Sequence, residues 1–262
     1  MNEVVEESIE NVKAKWDTIL SETSNSTIGT KKNNIDFVTL ADEKVESIIR
    51  ESIHSMDKES SIIGEEFDNS LSEEDGTYYI DPIDGTFNFA RGLPEYCVSI
   101  AYEENSDIEC VGLYFPHFDF TLYSYNGKIE YEGDFFDNQL QGDPVPSEKS
   151  ELDGASIGID VISSTLEPLN EYRNTLQEDN VVRQPMCVIY SSLMVASGAF
   201  DCSVFSGLHP WDIAPGYHIV NNVGGKITTE EGDSDWEKIR ESEVVVVSGN
   251  SDIHDDFLNL IG

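Results

Sequence analysis

Carboxylates outnumber basic side chains by 52 to 15 in this chain of 262 residues, a formal charge of −37. Most of the acids therefore have no cation of the chain's own to pair with. Self-repulsion on this scale opposes a compact state in dilute buffer. It becomes tolerable once salt shortens the Debye length to ~3 Å, as at 1 M. The acids are spread along the chain, and local blocks such as Glu65-Glu66 and Glu73-Glu74-Asp75 are short. An acidic arm for a basic partner would concentrate them instead, so the pattern reads as that of a halophilic protein. Hydrophobic residues at 39% and aromatics at 10% are too many for a disordered acidic tail. The length allows one large or two modest domains with a buried core.

The same arithmetic excludes several functions. Neutralising nucleic-acid phosphates takes clustered Lys and Arg, so no nucleic-acid partner is expected. No apolar run approaches the ~18 residues of a membrane span. Met1 to Glu10 is acidic and lacks a basic start and an apolar core, so no signal peptide is expected, and the expected compartment is the cytoplasm. Cys97, Cys110, Cys187 and Cys202 form no C-x-x-C pair and no zinc spacing, which predicts idle, buried thiols.

Val5, Ile9, Val12, Trp16 and Ile19 recur at steps of three and four, which predicts an opening helix. A second helix is expected from about Thr39, with Val45, Ile48, Ile49 and Ile53 inward. Short strands are expected at Ser61–Ile63 and Thr77–Ile80, then hairpin strands at Cys97–Tyr102, Glu109–Tyr114 and Phe120–Ser124. Gln141-Gly-Asp-Pro-Val-Pro-Ser147 is the natural linker. It divides an α+β half, 1–142, from an α/β half, 143–262. In the second half, helices are expected at Leu166–Leu176, Tyr190–Ala199, Trp211–Val223 and Asp252–Ile261. Strands are expected there at Ala155–Ile159, Cys202–Phe205, Lys226–Thr229 and Val244–Val247.

The chemistry concentrates in Tyr79-Ile80-Asp81-Pro82-Ile83-Asp84-Gly85-Thr86-Phe87-Asn88-Phe89. An apolar strand is expected to end at Asp81, and Pro82 with Gly85 to force a turn that lets two carboxylates converge. Carboxylate oxygens suit a hard cation such as Mg²⁺. Gly85 and Thr86 stand where a helix should begin, a place suited to a phosphate. The bland alternative is an Asx turn with a helix cap. Other acidic segments lie upstream at Ile62-Ile63-Gly64-Glu65-Glu66 and at Asp36 to Asp42, and downstream at His209-Pro210-Trp211-Asp212 before Gly224-Gly225. Each has its own bland reading. Thr39 with Asp42 fits a capping box, and Asp212 fits a helix dipole.

In this order the segments resemble the inositol monophosphatase family, the Mg²⁺-dependent, lithium-associated phosphatase superfamily that includes fructose-1,6-bisphosphatases. The resemblance rests on Gly64–Glu66, Asp81–Phe89 and Trp211 to Gly225 and covers nearly the whole chain. It implies a layered αβαβα sandwich of the sugar phosphatase type, two or three Mg²⁺ ions, and a homodimer. It implies that Glu65, Asp81 and the carbonyl of Ile83 hold one ion, and that Asp81, Asp84 and Asp212 hold a second. Gly85 and Thr86 would cradle the phosphate, with Asp84, Arg183 and Asp212 also on the substrate side. Thr86 and Asp42, with Glu65 nearby, would orient and deprotonate the attacking water, and Lys31 would lie on the approach. The activity implied is hydrolysis of a small sugar or polyol phosphate, inositol 1-phosphate or fructose 1,6-bisphosphate, by metal-activated water. A 3′-phosphoadenosine 5′-phosphate phosphatase, or a non-catalytic metal-binding regulator on the same fold, is the alternative. Two departures stand out. Met186-Cys187 replaces the family's small pair after Arg183, and Phe205 stands where inositol-specific members carry an acid. Both point to loose selection among alcohols.

The charge excess generates a prediction independent of the site. Circular dichroism during dilution from molar KCl should show unfolding below roughly 0.2 M salt, where screening weakens. Thermal stability unchanged from low to molar salt would contradict the halophilic reading.

Overall fold

Apolar residues spaced along one face make the first helix, α1 (Asn2–Thr23), and Val5, Ile9, Val12, Trp16 and Ile19 are all buried. The computed structural model describes residues 2–23, 29–30, 37–38, 40–72, 76–133, 135, 144–161, 173, 176 and 179–261. They fall into two units, Met1–Asp134 and Phe135–Gly262. In the first unit, a short antiparallel pair, β1 (Gly29–Thr30) and β2 (Phe37–Val38), precedes α2 (Leu40–Met56). Next come β3 (Ser61–Gly64), β4 (Thr77–Asp84), α3 (Thr86–Arg91), β5 (Cys97–Glu104) and β6 (Asp107–Phe115). A 3₁₀ turn at Pro116–Phe118 leads into β7 (Phe120–Tyr125) and β8 (Lys128–Glu132). The six strands from β3 to β8 form one sheet in chain order, parallel between β3 and β4 and antiparallel elsewhere.

Helices α1 and α2 pack on each other and on this sheet, joining Val5, Ile9, Val45 and Ile49 to Ile62, Tyr78, Ile80 and Ile100 in one core. Gly112 of β6 is what lets α1 lie so close. A Cβ there would stand 2.7 Å from Val5 Cγ1 and 2.9 Å from Ile9 Cγ1. Trp16 closes the cluster among the rings of Phe89, Tyr96 and Tyr114. With few bases available, phenols partner several of the acids. Tyr78 donates to Asp57, Tyr102 to Glu104, Tyr123 to Glu10 and Tyr125 to Glu130, at 2.9–3.2 Å.

In the second unit, β9 (Ser156–Val161), β10 (Val181–Arg183), β11 (Cys202–Ser206), β12 (Lys226–Thr229) and β13 (Val244–Ser248) form a sheet of order β10-β9-β11-β13-β12. Its helices are α4 (Val188–Ala196), α5 (Pro210–Asn222), the short α6 (Trp236–Ile239) and α7 (Ser251–Ile261). Ile253 and Phe257 of α7 share a core with Ile157, Val204 and Val246. Helices α4 and α5 approach closely because Gly216 has no Cβ; one would stand 2.5 Å from Ser192 Oγ.

The pattern of strands and helices follows the expectation, with local differences. The helix expected at Tyr190–Ala199 runs from Val188 to Ala196 and stops because Gly198 takes a left-handed conformation, φ 74°. Strands β8 and β10 and helix α6 were not expected, since exposed or very short elements carry little periodicity. The helix expected at Leu166–Leu176 lies, apart from Arg173 and Leu176, outside the described residues, as do Thr39, Lys31 and the Gln141–Asp143 part of the linker. All four cysteines are free and buried, as expected. Among the described residues, no helix is long and apolar enough to cross a membrane.

His254 of α7 ties that helix to the sheet. Thr228 Oγ1 donates to the Thr229 carbonyl at 2.7 Å, so toward His254 Nε2, 2.8 Å away, it can only accept. On the other side of the ring, Nδ1 lies 2.5 Å from Ser248 Oγ. Burial holds the imidazole neutral and lowers its pKa to about 4, against an opposing pull from Asp255 and a reinforcing one from Lys226. A folded-state pKa below the unfolded value means that the unfolded chain takes up the proton first as pH falls. The stabilisation is thus complete above about pH 6.5 and lost on the way down to about pH 4. His254→Gln should flatten the fall of melting temperature across that window in molar KCl, while the wild type loses on the order of 2–3 kcal/mol from this group. Parallel melting curves for the two proteins from pH 7 to pH 4 would count against it.

Candidate active site

The acidic motif is built on one irregular strand. The expectation that β4 ends at Asp81 is corrected: the strand continues through Pro82 and Ile83 to Asp84. Asp81 pairs with Ser99 and Asp84 with Cys97, so three steps along β4 match two along β5. In a regular strand, residues three apart point to opposite faces. The extra residue of this bulge cancels that, and Asp81 and Asp84 share a face, as Ser99 and Cys97 do. Pro82 has no N–H to give a ladder, so the interruption is a natural place for it. Both carboxylates are buried, Asp81 at 2% exposure and Asp84 at 5%.

Glu65 directly follows β3, whose last residue, Gly64, is in register with Ile80, the residue before Asp81. After Asp84, Gly85 adopts φ 86°, ψ 36°, a left-handed conformation that glycine reaches without steric cost, and α3 begins at Thr86. Thr86 Oγ1 lies 3.1 Å from Asp42 Oδ1 and 2.9 Å from the Ile83 carbonyl oxygen. Asp42, in the first turn of α2, is wholly buried. Within the first unit the structure thus brings Asp42, Ile83 and Thr86 into direct contact and sets Asp81 and Asp84 on one face by register, while Glu65 follows one residue past the Gly64–Ile80 pair.

Asp212 and Arg183 belong to the second unit. Asp212 is the third residue of α5 and 5% exposed, and its Oδ2 accepts the His209 N–H at 2.6 Å. It therefore caps its own helix with one of its two oxygens, in the first turn where the bland reading had it favour the helix dipole. His209 stacks on Trp211 at 4.6 Å, which braces the same turn. Arg183 ends the edge strand β10 and is exposed.

Two acids essential to this geometry were missed in the sequence. Glu46 lies one turn beyond Asp42 on α2 with 0% exposure, and its carboxylate accepts the N–H of Glu66 at 2.7 Å and of Phe67 at 3.4 Å. Arg50 Nε pairs with it at 2.7 Å. Asp160 of β9, 1% exposed, accepts the Met186 N–H and the Ser191 hydroxyl, each at 2.5 Å. It thereby holds Met186 at φ 60°, a left-handed conformation that glycine reaches at less steric cost. The available signal was spacing. Asp42, Glu46 and Arg50 recur every four residues beside the apolar stripe, where a solvated acid would be out of place. Phe205 requires a correction. Expected at an alcohol pocket, it is fully buried within β11, so it presents no surface to a substrate.

Comparison with known proteins shows the family and the fold. The model of the inositol monophosphatase family matches residues 1–261. A fructose-1,6-bisphosphatase/inositol-1-monophosphatase of Aquifex aeolicus is 27% identical over 241 residues, covering 88% of this chain and 86% of its own. A solved Thermotoga maritima IMPase superposes with TM-score 0.80 at 25% identity, over 97% of this chain and 94% of its own. An IMPase/NADP phosphatase solved with Mg²⁺ and phosphate shares the fold at TM-score 0.76 and 21% identity, over 96% and 94%. With its model matched from end to end, this chain belongs to the inositol monophosphatase family.

Proposed function

We propose that the protein is a Mg²⁺-dependent phosphomonoesterase of small sugar or polyol phosphates, with inositol 1-phosphate and fructose 1,6-bisphosphate as leading substrates. The observation that carries this is the β4 bulge, which sets Asp81 and Asp84 on one buried face. The donor set is all oxygen, which fits a hard cation. Crowded, buried carboxylates are costly without positive charge. Glu65, Asp81 and the Ile83 carbonyl would hold one ion. Asp81, Asp84 and Asp212 would hold a second, Asp212 entering by the likeness of its Trp-Asp segment to the family's. The Aquifex relative's name supports the substrate class, and the Mg²⁺ and phosphate of the solved IMPase/NADP phosphatase support the cofactor. Two or three ions, a homodimer and a cytoplasmic, halophilic setting complete the reading, on the family resemblance and the composition.

When bound, Mg²⁺ supplies Lewis-acid polarisation of the phosphoryl group and makes water a better nucleophile at neutral pH. The chain's own part is orientation and proton handling. The Thr86 hydroxyl has one proton and two acceptors in reach. Were the Ile83 carbonyl to hold an ion, that proton would go to Asp42. Thr86 Oγ1 is then an acceptor toward the attacking water, and the water's proton passes along the hydroxyl to the buried carboxylate. Gly85, Thr86 and Arg183 would receive the phosphate, and Lys31 would stand on its approach. No covalent intermediate is needed, since phosphoryl transfer rests mainly on positioning and charge stabilisation.

Two substitutions separate ligand from water-orienting group. Asp81→Asn keeps the shape but removes a shared charge, and phosphate release at saturating Mg²⁺ should fall on the order of 10³-fold. Its melting temperature without Mg²⁺ should hold or rise, because repulsion among the carboxylates is relieved, and Mg²⁺ should stabilise it less than the wild type. More than about a tenth of wild-type activity, a loss of only ~1.4 kcal/mol, would rule out the assignment. Thr86→Val should instead lower kcat by roughly 10²-fold, the scale of one proton-transfer group, and leave Mg²⁺ stabilisation intact. Equal loss of both would place Thr86 among the ligands.

A further inference from the structure

Two loops of the proposed site are tied to one face of α2. Asp42, Glu46 and Arg50 are four residues apart, so they follow one another along the helix at steps of about 6 Å. Asp42 meets Thr86 at the start of α3. One turn on, Glu46 takes the backbone N–H groups of Glu66 and Phe67. One turn further, Arg50 pairs with Glu46, donates from Nη2 to the Phe67 carbonyl at 3.5 Å, and lies 5.8 Å from the centre of the Phe67 ring. The turn carrying Glu65 is therefore gripped on its backbone, downstream of the acid itself. Upstream the fit is as tight. A Cβ on Gly64 would stand 2.3 Å from Glu46 Oε1 and 2.7 Å from its Cδ, so the carboxylate fills the space a side chain at position 64 would need.

A wholly buried carboxylate is expensive, and a well-packed apolar side chain in its place is often as stable or more so. Glu46 makes contacts that an apolar residue cannot make: it accepts two consecutive N–H groups beside Glu65 at a fixed distance from Asp42. We infer that Glu46 is a positioning residue that sets Glu65 for the cation, so that one rigid helix spaces the Glu65 turn against the Thr86 turn. The inference rests on the reading of Glu65 as a Mg²⁺ ligand.

The test is a double-mutant cycle on the full chain in molar KCl, with Glu46→Ala, Gly64→Ala and the pair together. Mg²⁺ binding is read by calorimetry without substrate, and by the Mg²⁺ concentration giving half-maximal phosphate release from inositol 1-phosphate. Each single change should weaken Mg²⁺ binding about tenfold, ~1.4 kcal/mol, and leave the substrate KM within about twofold. The pair should bind Mg²⁺ no worse than Glu46→Ala alone, because the added methyl then has no carboxylate to displace. Should Glu46→Ala fail to fold, Gly64→Ala decides, since it moves the carboxylate without removing its charge. Folded variants that bind Mg²⁺ within twofold of the wild type overturn the inference, as do losses that simply add. A wild type that binds Mg²⁺ but releases no phosphate defeats the proposed activity and leaves the calorimetric cycle to judge Glu46. A wild type that binds no Mg²⁺ overturns both.

Discussion

One extra residue in β4 is the constraint on which the site depends. A regular pleat would send Asp81 and Asp84 to opposite faces, one toward the helices and the other away. The bulge between them, opposite Ser99 and Cys97, returns both to one face. It also leaves Pro82 and Ile83 without a register partner on β5, and the Ile83 carbonyl accepts from the Thr86 hydroxyl. A single backbone irregularity thus sets two carboxylates, one carbonyl and the entry to α3. Bulges re-aim side chains in this way next to functional sites.

Helix α2 supplies the second fixed reference. Its inward face is mostly aliphatic, with Val45, Ile49 and Ile53 in the core, and that packing prevents it from sliding or rotating. The same burial makes its two acids reliable. Asp42 and Glu46 are at 0% exposure and bonded to other segments, so their positions are inherited from the core. Sites held by regular elements reproduce their geometry better than sites held by loops alone. The proposed proton acceptor and the proposed positioning group are then two rungs of one helix.

The acids of this chain do two opposite jobs. Many of the described acids, such as Glu3, Glu7, Asp107 and Glu109, are exposed to solvent. Others are drawn inside, and several of these are bonded to backbone N–H, hydroxyl or guanidinium groups, as Glu46, Asp160 and Asp212 are. The distinction is invisible to composition, which counts a surface glutamate and Glu46 alike. It is decided by neighbours that come from distant parts of the chain.

Residue order alone determined most of the element pattern, the family, and most of the acids worth examining. These depend on periodicity and on short motifs, which are local. Tertiary structure decided what those residues face. Only pairing with β5 reveals that β4 bulges instead of ending at Asp81, because a bulge is a mismatch between two strands. Only packing shows Phe205 to be wholly buried within β11, where it was expected at a pocket, and Met186 to be held left-handed by Asp160, 26 positions away. Glu46 shows the limit most clearly. Its spacing from Asp42 was there to be read, but its role depends on a turn 20 residues further on, and a hydrogen bond across that distance exists only once the core has brought the two segments together.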